Sequence, residues 1–228
     1  MNIAAIIVCA GSGRRLGKTD KTTLSLSAKP LFYHSFCLFA GIKQIKNIVL
    51  VMQDKHISLA KKLISPYKAK KLGVFFVKGG PRRQDSVKNG LGFLGDDIDY
   101  VLIHDGARPL ASRKLVLNII KELKKNQAVI CALKPRDTLK FVGKKGYARK
   151  TLDRDKIVSV QTPQAFRKEL ILRAFDKRGK KYLFDDAQAV ESLGVKVKVI
   201  EGERTNIKIT YPEDVEIAKA IIGCRVKG

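Results

Sequence analysis

Short runs of Val, Ile and Leu recur along this chain with segments of helical period between them, and that alternation restricts the possible folds more than any other feature. Ile3–Cys9, Ile48–Val51, Val74–Val77, Tyr100–His104 and Ala128–Leu133 are almost continuously apolar, as strands buried on both faces of a parallel sheet must be. Pro30–Phe39, Ser58–Ile64, Ser86–Leu94 and Lys114–Lys125 carry apolar residues three and four apart, the pattern of helices that cover such a sheet. Strand and helix in strict alternation specify an α/β fold with a doubly wound, mostly parallel sheet. The 228 residues suffice for a single domain with a sizeable core, and two full domains would need more chain. Downstream, helices are expected near Lys168–Lys177 and Asp186–Leu193, strands at Lys196–Ile200 and Ile207–Ile209, and a last helix from Pro212, a residue suited to a first helical position.

Thr138–Leu152 breaks the rhythm. Leu139–Val142, the turn Gly143-Lys144-Lys145-Gly146 and a second piece opening at Tyr147 predict a β-hairpin. A hairpin inserted into an α/β domain has no helix to cover its apolar side, so this arm, at about 137–158, is expected to bury it against a second subunit.

No apolar run approaches the roughly 18 residues a membrane span needs, and the N-terminus enters an apolar strand without a basic stretch ahead of it, so neither a membrane nor a signal peptide is expected. Cys9, Cys37, Cys131 and Cys224 stand far apart, without C-x-x-C spacing. They read as small core residues in a reducing cytoplasm. Forty-six Lys and Arg against 21 Asp and Glu leave a net charge of +25, which draws anions from a distance. Nucleic acid is the rival partner on this ground. It is not the expected one, because the charge lies in scattered doublets such as Lys61-Lys62 and Lys180-Lys181, with no helix-turn-helix, zinc finger or aromatic-interleaved stripe.

The loop Ala10-Gly11-Ser12-Gly13-Arg14-Arg15 follows the first strand. Glycines there let the backbone approach a phosphate and turn N–H groups toward it. It is neither a P-loop, since Ser12 stands where the first glycine belongs, nor the dinucleotide fingerprint, since three residues separate Gly13 from Gly17. Arg14, Arg15 and Lys21 instead supply phosphate-clamping cations. Gly79-Gly80-Pro81-Arg82-Arg83-Gln84-Asp85-Ser86 follows another strand and opens a helix, a place suited to a base or phosphate, where Asp85 or Ser86 could equally be a helix cap. His104-Asp105-Gly106-Ala107-Arg108-Pro109 stands at a strand's C-terminal end, the edge where open α/β sheets hold ligands. Asp105 can hold Mg²⁺ beside phosphates, and His104, on the opposite face, is expected to pack. No nucleophile elbow or paired zinc ligands occur, which leaves hydrolase readings without support.

Taken in order, A-G-S-G-R-R, G-G-x-x-R-x-x-S-V at Gly79–Val87, H-D-x-A-R-P at His104–Pro109, R-D-T-x-K at Arg136–Lys140, Q-T-P-Q at Gln161–Gln164 and N-I-K-I-T-x-P-E-D at Asn206–Asp214 resemble the 2-C-methyl-D-erythritol 4-phosphate cytidylyltransferase family. The sister ribitol-5-phosphate cytidylyltransferases share most of these motifs. The resemblance implies a Rossmann-like nucleotidyltransferase fold, CTP and a sugar-alcohol phosphate as substrates, Mg²⁺, and a homodimer built through the arm. It assigns the nucleotide to Ala10, Gly11, Ser12, Gly13, Gly79, Gly80, Arg83 and Ser86. Arg15 and Lys21 would stabilise the transition state, with Arg154 and Lys208 as further catalytic residues. Asp105, Arg108, Thr138, Arg154, Thr162 and Lys208 would hold the acceptor, Arg154 and Thr162 reaching it from the partner subunit, and Asp105 the metal. Three departures stand out. Asp20-Lys21-Thr22 replaces the family's P-K-Q in a loop one residue short, which makes Lys18 the other candidate. Gly106 replaces an alanine, and Phe184 a threonine.

Overall fold

The computed structural model describes residues 1–11, 24–65, 72–177, 179 and 181–227. In chain order the elements are β1 (Ile3–Val8), β2 (Ser25–Leu26), β3 (Lys29–Pro30), α1 (Leu31–Ala40), β4 (Ile45–Met52), α2 (Asp54–Ile64), β5 (Gly73–Lys78), α3 (Arg83–Leu91), β6 (Tyr100–Asp105), α4 (Arg113–Leu123) and β7 (Ala128–Leu133). They continue with β8 (Lys140–Val142), β9 (Ala148–Thr151), β10 (Ser159–Arg167), α5 (Lys168–Lys177), α6 (Ala187–Glu191), β11 (Lys198–Glu201) and α7 (Pro212–Lys227). Seven strands form one sheet in the order β11-β7-β10-β6-β1-β4-β5. All pairs are parallel except those of β10, which runs antiparallel to both neighbours. The expected doubly wound sheet is therefore present.

Period-two alternation sorts the strand residues onto two covered faces. Ile3, Ala5, Ile7, Leu50, Leu102 and Val129 face α1, α2 and α4, where Phe32, Phe36, Phe39 and the α4 stripe Leu115, Val116, Ile119, Ile120 and Leu123 meet them. Ile6, Val49, Val51, Val101, Ile103 and Ile130 face α3, α5 and α6 through Val87, Leu170, Ile171, Phe175 and Val190. Each fully buried Phe or Ile of this kind contributes about 1.5–3 kcal/mol. Ser112 caps α4 by accepting from the Leu115 N–H, which satisfies one of the helix's free donors. Cys131 is buried in this core, Cys9 and Cys37 partly so, but Cys224 is exposed on α7, against the expectation that all four pack inside.

Two further expectations fail. Ile207–Ile209 is not a strand; among the described residues its segment joins no ladder, and its contacts include a bond from Ile209 N–H to the Ala107 carbonyl. And β10, which carries Gln161-Thr162-Pro163-Gln164, is a central strand where the sequence gives only a polar island. Proline cannot donate to a ladder, and the structure meets this with an irregularity. Val160 pairs with Ala132 and Gln164 with Ile130, so Gln161, Thr162 and Pro163 together face Cys131. The Thr162–Pro163 peptide bond is cis. Bulges of this kind re-aim side chains, and this one turns Thr162 toward the end of β6.

The hairpin is as expected: among the described residues β8 and β9 pair with each other alone, and every residue in them is exposed.

Candidate active site

The site grows from the C-terminal ends of β6, β1, β4 and β5, four consecutive strands of the sheet. Cys9 N–H donates to Val51 O, Gly79 N–H to Met52 O and Gly106 N–H to Val8 O, at 2.7–2.9 Å. Ala10 and Gly11 begin the loop at this rim, and Gln53 Nε2 donates to the Ala10 carbonyl at 3.2 Å. Ser12, Gly13, Arg15, Lys18 and Lys21 lie outside the described residues. A Cβ at Gly79 would run into the Ala10 side chain, so glycine there is what lets the two loops touch. Gly80 N–H donates to Ser86 Oγ at 3.0 Å, and the Ser86 hydroxyl donates to Arg82 O at 3.2 Å. The α3 N-cap is thus Arg82 rather than Asp85 or Ser86, and Ser86 pins the turn ahead of it.

From the first turn of α3, Arg83 reaches across the cleft. Its Nε donates to Asp105 Oδ1 at 2.8 Å, and its terminal nitrogens grip both Asp186 oxygens at 2.9 and 2.8 Å. Lys208 Nζ sits 2.6 Å from Asp105 Oδ2. Burial works against the charge on Asp105, yet Arg83 and Lys208 overrule it and hold the carboxyl well below the usual range. Burial also opposes the charge on Arg83, which Asp186 and Asp105 restore and strengthen. At Asp186 burial prevails, helped by the carboxylates of Asp105 and Asp185, and its carboxyl is raised in spite of Arg83.

Below this network Asp105 N–H donates to Thr162 Oγ1 at 3.0 Å, and Thr162 Oγ1 lies 3.1 Å from His104 Nδ1. His104 Nε2 donates to the Arg108 carbonyl at 3.0 Å, and its ring meets Phe39 edge-on. Burial holds this imidazole down at about 4, so it is neutral and takes the Thr162 proton at Nδ1. His104 packs, as its side of β6 requires, and it also joins Thr162 to Arg108. Arg108 Nη1 donates to Asn206 O at 2.7 Å, while its buried Nε has no partner among the described residues. Burial lowers its basicity. Gln161 and Asn206 bind the segment carrying Lys208: Gln161 Nε2 donates to Glu203 O at 2.9 Å and Asn206 Nδ2 to Thr162 O at 2.9 Å.

These groups line a cleft of about 530 Å³. Its lining is charged at Arg83, Asp105, Arg108, Asp185, Glu191 and Lys208, apolar at Ile130, Val160 and Phe184, and polar at Gln161, Thr162, Gln164 and Gln188. An anion with a polyol chain suits such a lining: guanidinium and ammonium for phosphate, amides and carboxylates for hydroxyls. Of the residues singled out from sequence, Arg83, Asp105, Arg108, Thr162 and Lys208 come together. Thr162 does so within its own chain, through the β10 bulge, and not from a partner subunit as expected. Thr138 and Arg154 do not join them; both are exposed at the base of the arm, Arg154 donating to Arg136 O at 2.9 Å. Asp186 was missed as the second anchor of Arg83. Its signal was the acidic pair Asp185-Asp186 just ahead of a helical stretch. Among the described residues no three His, Cys, Asp or Glu side chains cluster as metal ligands.

The family model for 2-C-methyl-D-erythritol 4-phosphate cytidylyltransferase matches residues 3–224. The chain belongs to this family. It is 41% identical over 223 residues to the 2-C-methyl-D-erythritol 4-phosphate cytidylyltransferase of Endomicrobium trichonymphae, covering 97% of this chain and 99% of that protein. With the enzyme of Dehalococcoides mccartyi (strain ATCC BAA-2266 / KCTC 15142 / 195) it shares 40% over 220 residues, 96% of each. Among solved structures, 4-diphosphocytidyl-2C-methyl-D-erythritol synthase from Anaerococcus prevotii superposes with a TM-score of 0.86 at 35% identity, covering 97% of this chain and 98% of that one. The Thermus thermophilus 2-C-methyl-D-erythritol 4-phosphate cytidylyltransferase gives 0.78 at 30%, with the same coverage. The cytidylyltransferase family thus spans the sheet, the arm and the cleft together. No helix among the described residues is long and apolar enough to cross a membrane.

Proposed function

We propose that the protein transfers the cytidylyl group of CTP to 2-C-methyl-D-erythritol 4-phosphate, releasing pyrophosphate and forming the CDP-alcohol used in isoprenoid precursor synthesis without mevalonate. The observation that carries this reading is the family match along residues 3–224, with family motif residues far apart in sequence meeting in one cleft. An oxygen of the acceptor phosphate attacks the α-phosphorus in line, and pyrophosphate departs. No general base is needed, because a phosphate monoester with a second pKa of about 6 is largely dianionic at neutral pH. The obstacle is bringing two anions together.

In this reading Arg108 and Lys208 take the acceptor phosphate, Gln161 and Gln164 the polyol, and the Gly79-Gly80 turn with Ser86 the nucleoside side. Thr162, whose proton goes to His104, offers a lone pair to a polyol hydroxyl. Arg15 and Lys21 stabilise charge at the α-phosphorus. Asp105, held ionised by Arg83 and Lys208, would be the carboxylate that holds Mg²⁺, an ion proteins bind through one or two carboxylates together with substrate phosphates. When bound, that ion offsets the charge of the phosphates. A second copy of the chain covers the bare arm and receives Thr138 and Arg154 at its own cleft. A cytoplasmic setting agrees with four free cysteines.

Pyrophosphate release measured over four nucleoside triphosphates and two acceptors, methylerythritol phosphate and ribitol 5-phosphate, tests the reading. Release is expected only with CTP and methylerythritol phosphate; turnover of ribitol 5-phosphate in its place would reassign the acceptor. Lys21→Ala is expected to lower kcat by about 100-fold or more with a smaller change in CTP binding, and near-normal turnover would remove Lys21 from the mechanism. Arg154→Ala should raise the acceptor KM, whereas an effect confined to CTP would contradict its place at a partner's cleft.

A further inference from the structure

Phe184 is the aromatic residue of the cleft, and the proposed chemistry leaves it without a task. Phe184 is 83% exposed, yet it lines the same cleft as Ile130 and Val160. Loose chain does not explain the exposure, since the backbone around it is pinned. Leu183 N–H donates to the buried Gln84 side chain at 2.8 Å and Phe184 N–H to Gln188 Oε1 at 2.8 Å. Asp186, two residues on, is locked to Arg83 and takes a further bond from its own N–H to Gln164 Oε1. Tyr182 braces the ring edge-on, centroids 5.3 Å apart. A large apolar side chain held out rigidly at a site's mouth gains only when a ligand covers it. The threonine that the family resemblance often gives here would present a hydroxyl; phenylalanine presents an apolar face.

We infer that Phe184 determines acceptor specificity by packing on the branching methyl group of the polyol phosphate. This rests on the acceptor reading above. The phosphorylated carbon belongs with Arg108 and Lys208, the methyl-bearing carbon lies two bonds further along the acceptor, and Phe184, Val160 and Ile130 are the apolar groups lining the same cleft. The charged groups are indifferent to that methyl; the apolar ones are not. This chain therefore exchanges a hydrogen bond to a polyol hydroxyl for apolar contact with the feature that separates a methylated tetritol phosphate from unbranched ones.

The experiment compares kcat/KM for 2-C-methyl-D-erythritol 4-phosphate and D-erythritol 4-phosphate in the wild type, Phe184→Ala and Phe184→Leu, with CTP saturating. One methyl group in an apolar recess is worth about 10-fold or more, so the wild type should favour the methylated acceptor by at least about that factor. Phe184→Ala should reduce the preference to about 3-fold or less, Phe184→Leu should keep most of it, and the KM for CTP should stay within about 2-fold of wild type. The exposed ring supports no core, so thermal midpoints should coincide. A preference unchanged in Phe184→Ala, a loss equal for both acceptors, or an equal rise in the KM for CTP would overturn the inference while leaving the reaction intact. A wild type that uses neither tetritol phosphate would overturn the reading beneath it as well.

Discussion

Asp105 holds two cations at once and is held ionised by them, so its removal acts on geometry and charge together. Asp105→Asn leaves Arg83 with Asp186 alone and Lys208 without its partner. Pyrophosphate release should fall by about 100-fold or more, and folding stability by about 3 kcal/mol, the cost of breaking a buried pair by removing one side; a variant close to wild type in both would show that the network is incidental. Gly106 illustrates a coupled departure. A Cβ at 106 would strike Cys9 Sγ, so the family's alanine does not fit beside this cysteine. Gly106→Ala should cost about 1–3 kcal/mol as an overpacked core does, and Cys9→Ala should recover most of it. A thermal double-mutant cycle with no coupling would dismiss that link. His104 sets an acid limit. Its folded pKa of about 4 lies below an unfolded value of about 6.5, so between those values the unfolded chain binds more protons and stability falls as pH falls. Full burial makes the loss on the order of 3 kcal/mol. Urea midpoints from pH 7 to 4 should show it, and His104→Gln should flatten the slope.

At the scale of elements, β10 separates what the residues announce from what they conceal. The strands β1, β4, β5, β6 and β7 could be read from apolar runs because a parallel sheet covered on both faces demands them. The hairpin could be read from its turn. β10 could not, since Gln161, Thr162 and Pro163 occupy the stretch where its ladder is interrupted, and local propensity there argues against a central strand. Its cue is tertiary: an amide, a hydroxyl and a proline placed where β6 ends. For the same reason the cleft was only partly legible. Asp105, Arg108 and Lys208 stand in recognisable motifs, whereas the grip of Asp186 on Arg83 spans 103 positions and has no local pattern. The arm makes a separate prediction. Phe141 and Tyr147 are 57% and 75% exposed, so charging them should leave the fold untouched. Phe141→Asp with Tyr147→Asp should convert a dimer into a monomer by sedimentation velocity and abolish acceptor use; a wild type that sediments as a monomer would refute the dimer proposal.

For the molecule as a whole, +25 makes the approach of CTP a matter of long-range attraction. Raising ionic strength from about 0.02 to 0.5 M should lower kcat/KM for CTP about tenfold, with kcat less affected; insensitivity to salt would mean that the charge serves another end. The sheet order also bears on how the chain is made. β7 pairs on one side with β10 and on the other with β11, and both are synthesised after it. Until residue 167 has left the ribosome, β6 lacks one neighbour and β7 both, and the arm lengthens that interval. A polypeptide ending at residue 150 would carry two apolar strands with open edges and should sediment as aggregate. A pause or premature stop during translation of the arm is therefore more harmful than the arm's own peripheral position would imply.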